Sequence, residues 1–265
     1  LAAGIDLSAV TPTGVSGRIR ERDVLAALAA RGKFGVEWVD APITASRRTI
    51  AERLERGAPQ AVPVTMTCRC DATALVCLRN QLKAGGAVPV PSFNDMIIKI
   101  TAGALQLHPY MTGRWAGSSI QFPQAIHIGF AVETEEGLAV PVLRDVSSLR
   151  LSEVSRRSGE LIDSARSRRT EGGEMLGGCF TVASLGAFGV DAFTPVIQFP
   201  ETAILGVGAI SMQPVSLPDG SLVSREQLIL SLTFDHRAVD GAPAARFLQT
   251  LRKRLESPAA WLFNA

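Results

Sequence analysis

The stretch HIGFAVETEEGLAVPVLRDV, residues 127–146, decides the fold class. Apolar residues recur at period two on both sides of Glu135-Glu136-Gly137, the pattern of two strands joined by a turn. Strands joined so tightly run antiparallel. Working outward, VPVTMTCRCDAT (62–73) alternates as a strand, and residues 72–84 read as a helix closed by Gly85-Gly86. Ser92 or Asn94 is suited to cap a longer helix, MIIKITAGALQLH, which Pro109 stops. Downstream come a helix near 149–169, strand-like runs in GCFTVASL, TAILGVGAI and QLILSLTFDH, and a final helix over 242–256. Helices thus sit among hairpin-linked strands without βαβ regularity, which predicts an α+β fold with a mixed sheet. Ser46–Glu55 has the spacing of a further helix, through Ile50 and Leu54.

Composition excludes several functions. Across 265 residues, 27 basic side chains face 25 acidic ones, too even a balance for nucleic-acid or lipid binding. No run of 18 apolar residues offers a membrane span. No GxGxxG opens a helix after a strand and no GxxxxGK[ST] occurs, so dinucleotide and nucleoside-triphosphate chemistry lack support. Four cysteines are too few for a disulfide framework in a chain this long. Cys68-Arg69-Cys70 has one intervening residue where zinc sites use two to four, so no metal is expected. A cytosolic or organelle-matrix compartment fits this cysteine usage.

Residues 1–30 stand apart as a turn-rich segment and a short helix, with Val24, Leu25 and Leu28 as its apolar face; 31–42 read as a linker, and 43–265 as the main domain. Within that domain His236 has the most telling surroundings. It follows the strand ending at Phe234, and Asp240-Gly241 open the next helix, with Ala245, Phe247, Leu248, Leu251 and Leu255 as its apolar face. Asp240 is placed to cap that helix and to pair with Arg237 or an N-terminal arginine. An imidazole pinned between strand and helix is held as a general base must be. His108 reads as a helix-terminal residue whose positive charge the dipole would favour, and His127 as the opening of a strand.

DHRAVDG (235–241) resembles the H-x-x-x-D-G signature of the acyltransferase, or E2, components of 2-oxoacid dehydrogenase complexes. SRRTIAERL, SFNDMIIKITAGALQLHP, IHIGFAVETEEGLAVPVL, GGCFTVASLGAFGVDAFTPVIQFPETAILGVG and LILSLTFDHRAVDGAPAARFL occur in the order of that family's catalytic domain, over roughly 43–262. GIDLSAVTPTGVSGRIRERDVLAAL (4–28) resembles the latter part of the peripheral subunit-binding domain. The resemblance implies a chloramphenicol-acetyltransferase-like mixed-sheet sandwich. It places His236 at the catalytic histidine, Asp240 at the aspartate that buttresses the site, and Ser184 at the serine that stabilises the oxyanion, with Thr181 and Gly186 shaping that wall.

The resemblance further implies a homotrimer in which histidine and serine come from different chains, built into a cubic or icosahedral core. Coenzyme A is then a substrate, and the lipoyl group arrives on a domain this sequence lacks, since nothing in it offers the Asp-Lys hairpin turn that carries lipoate. E1 or E3 dehydrogenase components would be partners, in a bacterial cytoplasm or a mitochondrial matrix. The expected reaction is direct thioester exchange, with His236 as base and then acid, and with Cys179 packed in a strand instead of acting as a nucleophile. Three other readings stay open: an acyltransferase of the same fold serving a phosphopantetheine carrier protein, a core protein without turnover, and an adaptor that docks dehydrogenases through residues 1–30.

Overall fold

The computed structural model describes residues 6–30, 39–44, 47–48, 51–52, 55, 61–135, 137–167, 169 and 172–263. The chain divides into two compact units, Leu1–Ile43 and Thr44–Ala265. In the first, helix α1 (Glu21–Ala30) follows a tight turn in which Ser16 and Gly17 both take positive φ. The turn is fastened by Asp23, which is buried and whose carboxylate accepts from the Arg20 and Thr13 N–H groups and from the Thr13 hydroxyl. Those hydrogen bonds, that from Arg20 first, hold its carboxyl down at about 2. Leu28 is buried as expected, whereas Leu25 is 57% exposed. The proposed linker largely lies outside the described residues. So does much of the helix expected over 46–55, although Arg47, Arg48, Ala51, Glu52 and Glu55 are helical.

The second unit is built on a seven-stranded mixed sheet in the order β1 (Pro63–Asp71), β11 (Leu222–Asp235), β9 (Ala203–Val207), β8 (Phe180–Ser184), β4 (Ile128–Phe130) and β7 (Val142–Leu143). Strand β10 (Ser211–Ser216) extends it by pairing with the first half of β11. β8 lies parallel to both neighbours, and the other pairs are antiparallel. β11 carries Leu228, Leu230, Leu232 and Phe234 on one fully buried face, and Ser231, Thr233 and Asp235 on the other. Two-residue periodicity alone sends these sets to opposite faces. β9 and β10 run along one flank of β11 as a single line broken at Gly208. A Cβ at Gly208 would lie 1.8 Å from the Asp191 carbonyl oxygen, so only glycine permits the bend.

The 127–146 hairpin exists, but it is split. β4 pairs with β7, while β5 (Val132–Thr134) and β6 (Gly137–Ala139) form a separate two-stranded tip. A third strand causes the break: Ala131 N–H donates to Val182 of β8, not across the hairpin. A small ladder, β2 (Arg114–Trp115) with β3 (Ile120–Gln121), completes the strands.

Helices α2 (Thr73–Ala84), α3 (Phe93–Leu107), α4 (Leu151–Arg166), α5 (Gly241–Glu256) and α6 (Ala259–Leu262) surround one core. α3 is its centre, with Met96, Ile97, Ile98, Ile100 and Leu105 all buried. Ser92, not Asn94, starts α3: its side chain and that of Asp95 close a reciprocal capping box. Asp95 also accepts from Ser155 and Ser158, fastening α4 to α3 inside the core. α5 buries Ala244, Phe247, Leu248, Leu251 and Leu255, so Ala244 takes the core place expected of Ala245. Among the described residues no helix is long and apolar enough to cross a membrane.

Candidate active site at the end of strand β11

β11 delivers its last residue, Asp235, to the edge of the sheet, and the chain then turns through His236 and Arg237 into α5. The turn is held from within. Asp235 is buried; its carboxylate accepts from the N–H groups of Val62 and Arg237 and from the Arg237 guanidinium, at 2.6 Å for Nη2. Burial alone would raise this carboxyl, but the hydrogen bonds from Arg237 and Val62 outweigh it and hold it below the usual range. The Asp235 carbonyl accepts from Ala238 and Val239, and the His236 N–H donates to Val62 of the neighbouring strand at 2.8 Å. The His236 backbone is therefore fixed while its side chain stays 42% exposed. The ring leans on Phe234, centroids 5.8 Å apart.

Asp240 is the N-cap residue of α5, as expected, but its side chain makes no capping hydrogen bond. It is 85% exposed, with Oδ1 3.9 Å from His236 Nδ1. The expected pairing with Arg237 is not formed, because Asp235, one residue nearer in the chain, takes the guanidinium. Among the described residues, Asp240 has its ion-pair contact with His236. The Arg237 guanidinium also stacks over Trp115 at 5.4 Å. His108 departs from expectation as well: burial first, and then Arg246 and Arg254, push its pKa down, so the neutral ring is favoured. Its Nε2 pairs with Thr250 Oγ1.

Ser184 ends β8, half-buried, in the turn before Gly186. A Cβ at Gly186 would approach the Gly208 carbonyl to 2.6 Å, so this turn packs backbone against backbone. Ser184 and His236 do not meet within the chain. Ser184 pairs with Val207, and Val207 with Leu230. His236 lies six residues beyond Leu230, at the opposite end of the sheet, so the two stand about 20 Å apart along the strands. Cys179 is buried with its thiol donating to the His127 carbonyl, and burial pushes it up to about 11, unfit for a nucleophile.

Two features escaped the sequence reading. Asp235 carries the turn, and its alternation with Ser231 and Thr233 was the available signal. Glu201 lines a cavity of about 260 Å³ beside the end of β11, with Trp115, Phe199, Thr233, Asp235 and Arg237. Burial drives its carboxyl up to about 8 against the hydrogen bond from Thr181, a proton-holding site no motif marks.

Residues 36–263 match the family described as 2-oxoacid dehydrogenases acyltransferase (catalytic domain), and residues 2–25 match the e3 binding domain. The chain belongs to this acyltransferase family.

The acyltransferase is 38% identical to the dihydrolipoyllysine-residue acetyltransferase component of the acetoin cleaving system of Bacillus subtilis, over 97% of this chain and 67% of the relative. It spans about half the length of other curated relatives. Its fold matches a structure of Azotobacter vinelandii dihydrolipoamide acetyltransferase with a TM-score of 0.82 and 37% identity, over 88% of this chain and 97% of that one. That enzyme was studied for the part a serine, a histidine and an asparagine play in its catalytic mechanism. The cubic core of the pyruvate dehydrogenase multienzyme complex matches with a TM-score of 0.81 and 36% identity, over the same shares.

Proposed function

We propose that this acyltransferase moves an acyl group between dihydrolipoamide and coenzyme A by direct thioester exchange, at a site shared between two copies of the chain. Residues 43–265 form the catalytic domain, 31–42 a linker, and 1–30 part of a subunit-binding domain that recruits E1 or E3. Lipoamide is presented by a separate lipoyl domain, and trimers of the chain build a larger core.

The observation that carries the proposal is the strand register. His236 and Ser184 emerge at opposite ends of one sheet, so a site using both must take them from different copies. The intervals between the serine, histidine and asparagine of the Azotobacter enzyme equal those between Ser184, His236 and Asp240, which supports the choice of these three. The third residue there is an amide, so the position needs no charge. An exposed Asp240 fits a supporting role better than proton transfer.

At this site Nδ1 of His236 faces Asp240 and leaves Nε2 for the incoming thiol. A neutral imidazole is suited to take the thiol proton. The thiolate attacks the thioester carbonyl, and the C=O electron pair moves onto oxygen. There the hydroxyl of Ser184 from a neighbouring copy donates a hydrogen bond. Collapse breaks the original C–S bond, and the departing sulfur recovers the proton from His236. Atoms and charge balance without an acyl-enzyme, in keeping with a Cys179 buried as a neutral thiol.

The test is to incubate the protein with free dihydrolipoamide and a panel of acyl-coenzyme A thioesters, alongside His236→Ala. Transfer by the wild type that the variant lacks supports the reading. Equal background in both contradicts it.

A further inference from the structure

Far from His236, strand β1 turns a row of sulfur atoms toward α5. Met66, Cys68 and Cys70 alternate along one strand face, packed against the core. Cys68 Sγ and Cys70 Sγ lie 3.9 Å apart, and both are free thiols. Cys70 is buried, while Cys68 is half-exposed and lines, with Met66, Leu248, Gln249 and Arg252, a cavity of about 440 Å³ that gives access from solvent.

The pair cannot close on itself. Same-face neighbours in a strand have Cβ atoms roughly 6.6 Å apart. A disulfide needs them within about 4.5 Å. Closing that gap would tear Cys68 from Leu230 and Cys70 from Leu228 in the ladder. A metal bridge has the opposite geometry: two metal–sulfur bonds of about 2.3 Å span up to roughly 4.6 Å, so 3.9 Å already admits an ion with a bent S–metal–S angle. Among the described residues no group of three His, Cys, Asp or Glu surrounds a point, which disfavours zinc. Soft thiolate and thioether ligands also suit Cu(I).

We propose that Cys68 and Cys70, with the thioether of Met66, which lines the same cavity as Cys68, bind one thiophilic monovalent cation of the Cu(I) class. The ion replaces two thiol protons and leaves a single negative charge on the bis-thiolate. Arg252, whose own partner is Glu256, lies beside the pair and offsets that charge.

Anaerobic competition against the Cu(I)–bicinchoninate complex tests this with the full chain. The wild type is expected to withdraw one equivalent of Cu(I), and Cys77→Ser, which removes an exposed thiol elsewhere, to do the same. Cys68→Ser and Cys70→Ser each lose affinity by about a hundredfold, since one thiolate no longer holds the ion chelated, and Met66→Leu by about threefold. Circular dichroism confirms that the variants fold; Cys68→Ser changes only a half-exposed side chain. Undiminished competition by Cys68→Ser, or none by the wild type, overturns the proposal. Equal affinity in Met66→Leu removes the thioether from the site.

Discussion

At the scale of single residues, the proposed mechanism divides the work unequally among three side chains. Removing the imidazole with His236→Ala is expected to lower kcat by about 10²–10⁴, the usual worth of a general base, without unfolding, because the turn is held by the backbone and Asp235. Ser184→Ala is expected to cost about a hundredfold in kcat and little in KM, since its hydrogen bond strengthens only as charge develops on oxygen. Asp240→Asn should leave kcat within about fivefold of wild type, because an exposed polar contact of this kind is worth about 1 kcal/mol or less; steady-state assays separate all three. Glu201 sets a pH dependence of stability. Its carboxyl titrates near 4.5 when unfolded and about 8 when folded. Between those values the folded chain keeps a proton the unfolded chain has lost, so stability falls as pH rises, by at most about 1.4 kcal/mol per unit. Glu201→Gln is expected to flatten denaturation midpoints between pH 5 and 8, and to exceed wild type at the upper end; parallel slopes for both chains would contradict this.

At the scale of elements, the turn from β11 to α5 depends on one carboxylate. Asp235→Ala strands the Val62 N–H and the Arg237 guanidinium, and should cost about 2–3 kcal/mol, visible as a lower unfolding midpoint with lower activity. The same turn shows how much of the site was legible. The strand, His236 and the helix after it follow from local periodicity and a short motif, and they lie where expected. Asp240 was credited with the pairing that Asp235 makes, because the motif drew attention past a polar alternation already visible in Ser231, Thr233 and Asp235. The hairpin at 127–146 was legible as two strands. Its split was not, since it depends on Val182 arriving from fifty residues downstream. β10 escaped for a similar reason: its residues alternate between intermediate burial and exposure and belong to a strand only because β11 runs beside them.

At the scale of the whole molecule, the α+β class follows from hairpins mixed with helices, but strand order does not. That β9 separates β8 from β11, and that β8 runs antiparallel to β11, puts Ser184 and His236 at opposite ends of the sheet. Local pattern cannot reveal this, yet it is what supports the proposal that two chains share a site. Complementation tests it most directly: chains carrying His236→Ala and chains carrying Ser184→Ala are unfolded together, refolded as a mixture and assayed. If each site takes its histidine from one chain and its serine from the next, about a quarter of the sites in random trimers regain both groups, and activity rises toward that fraction of wild type. A mixture no more active than the average of its two parents would contradict the shared site.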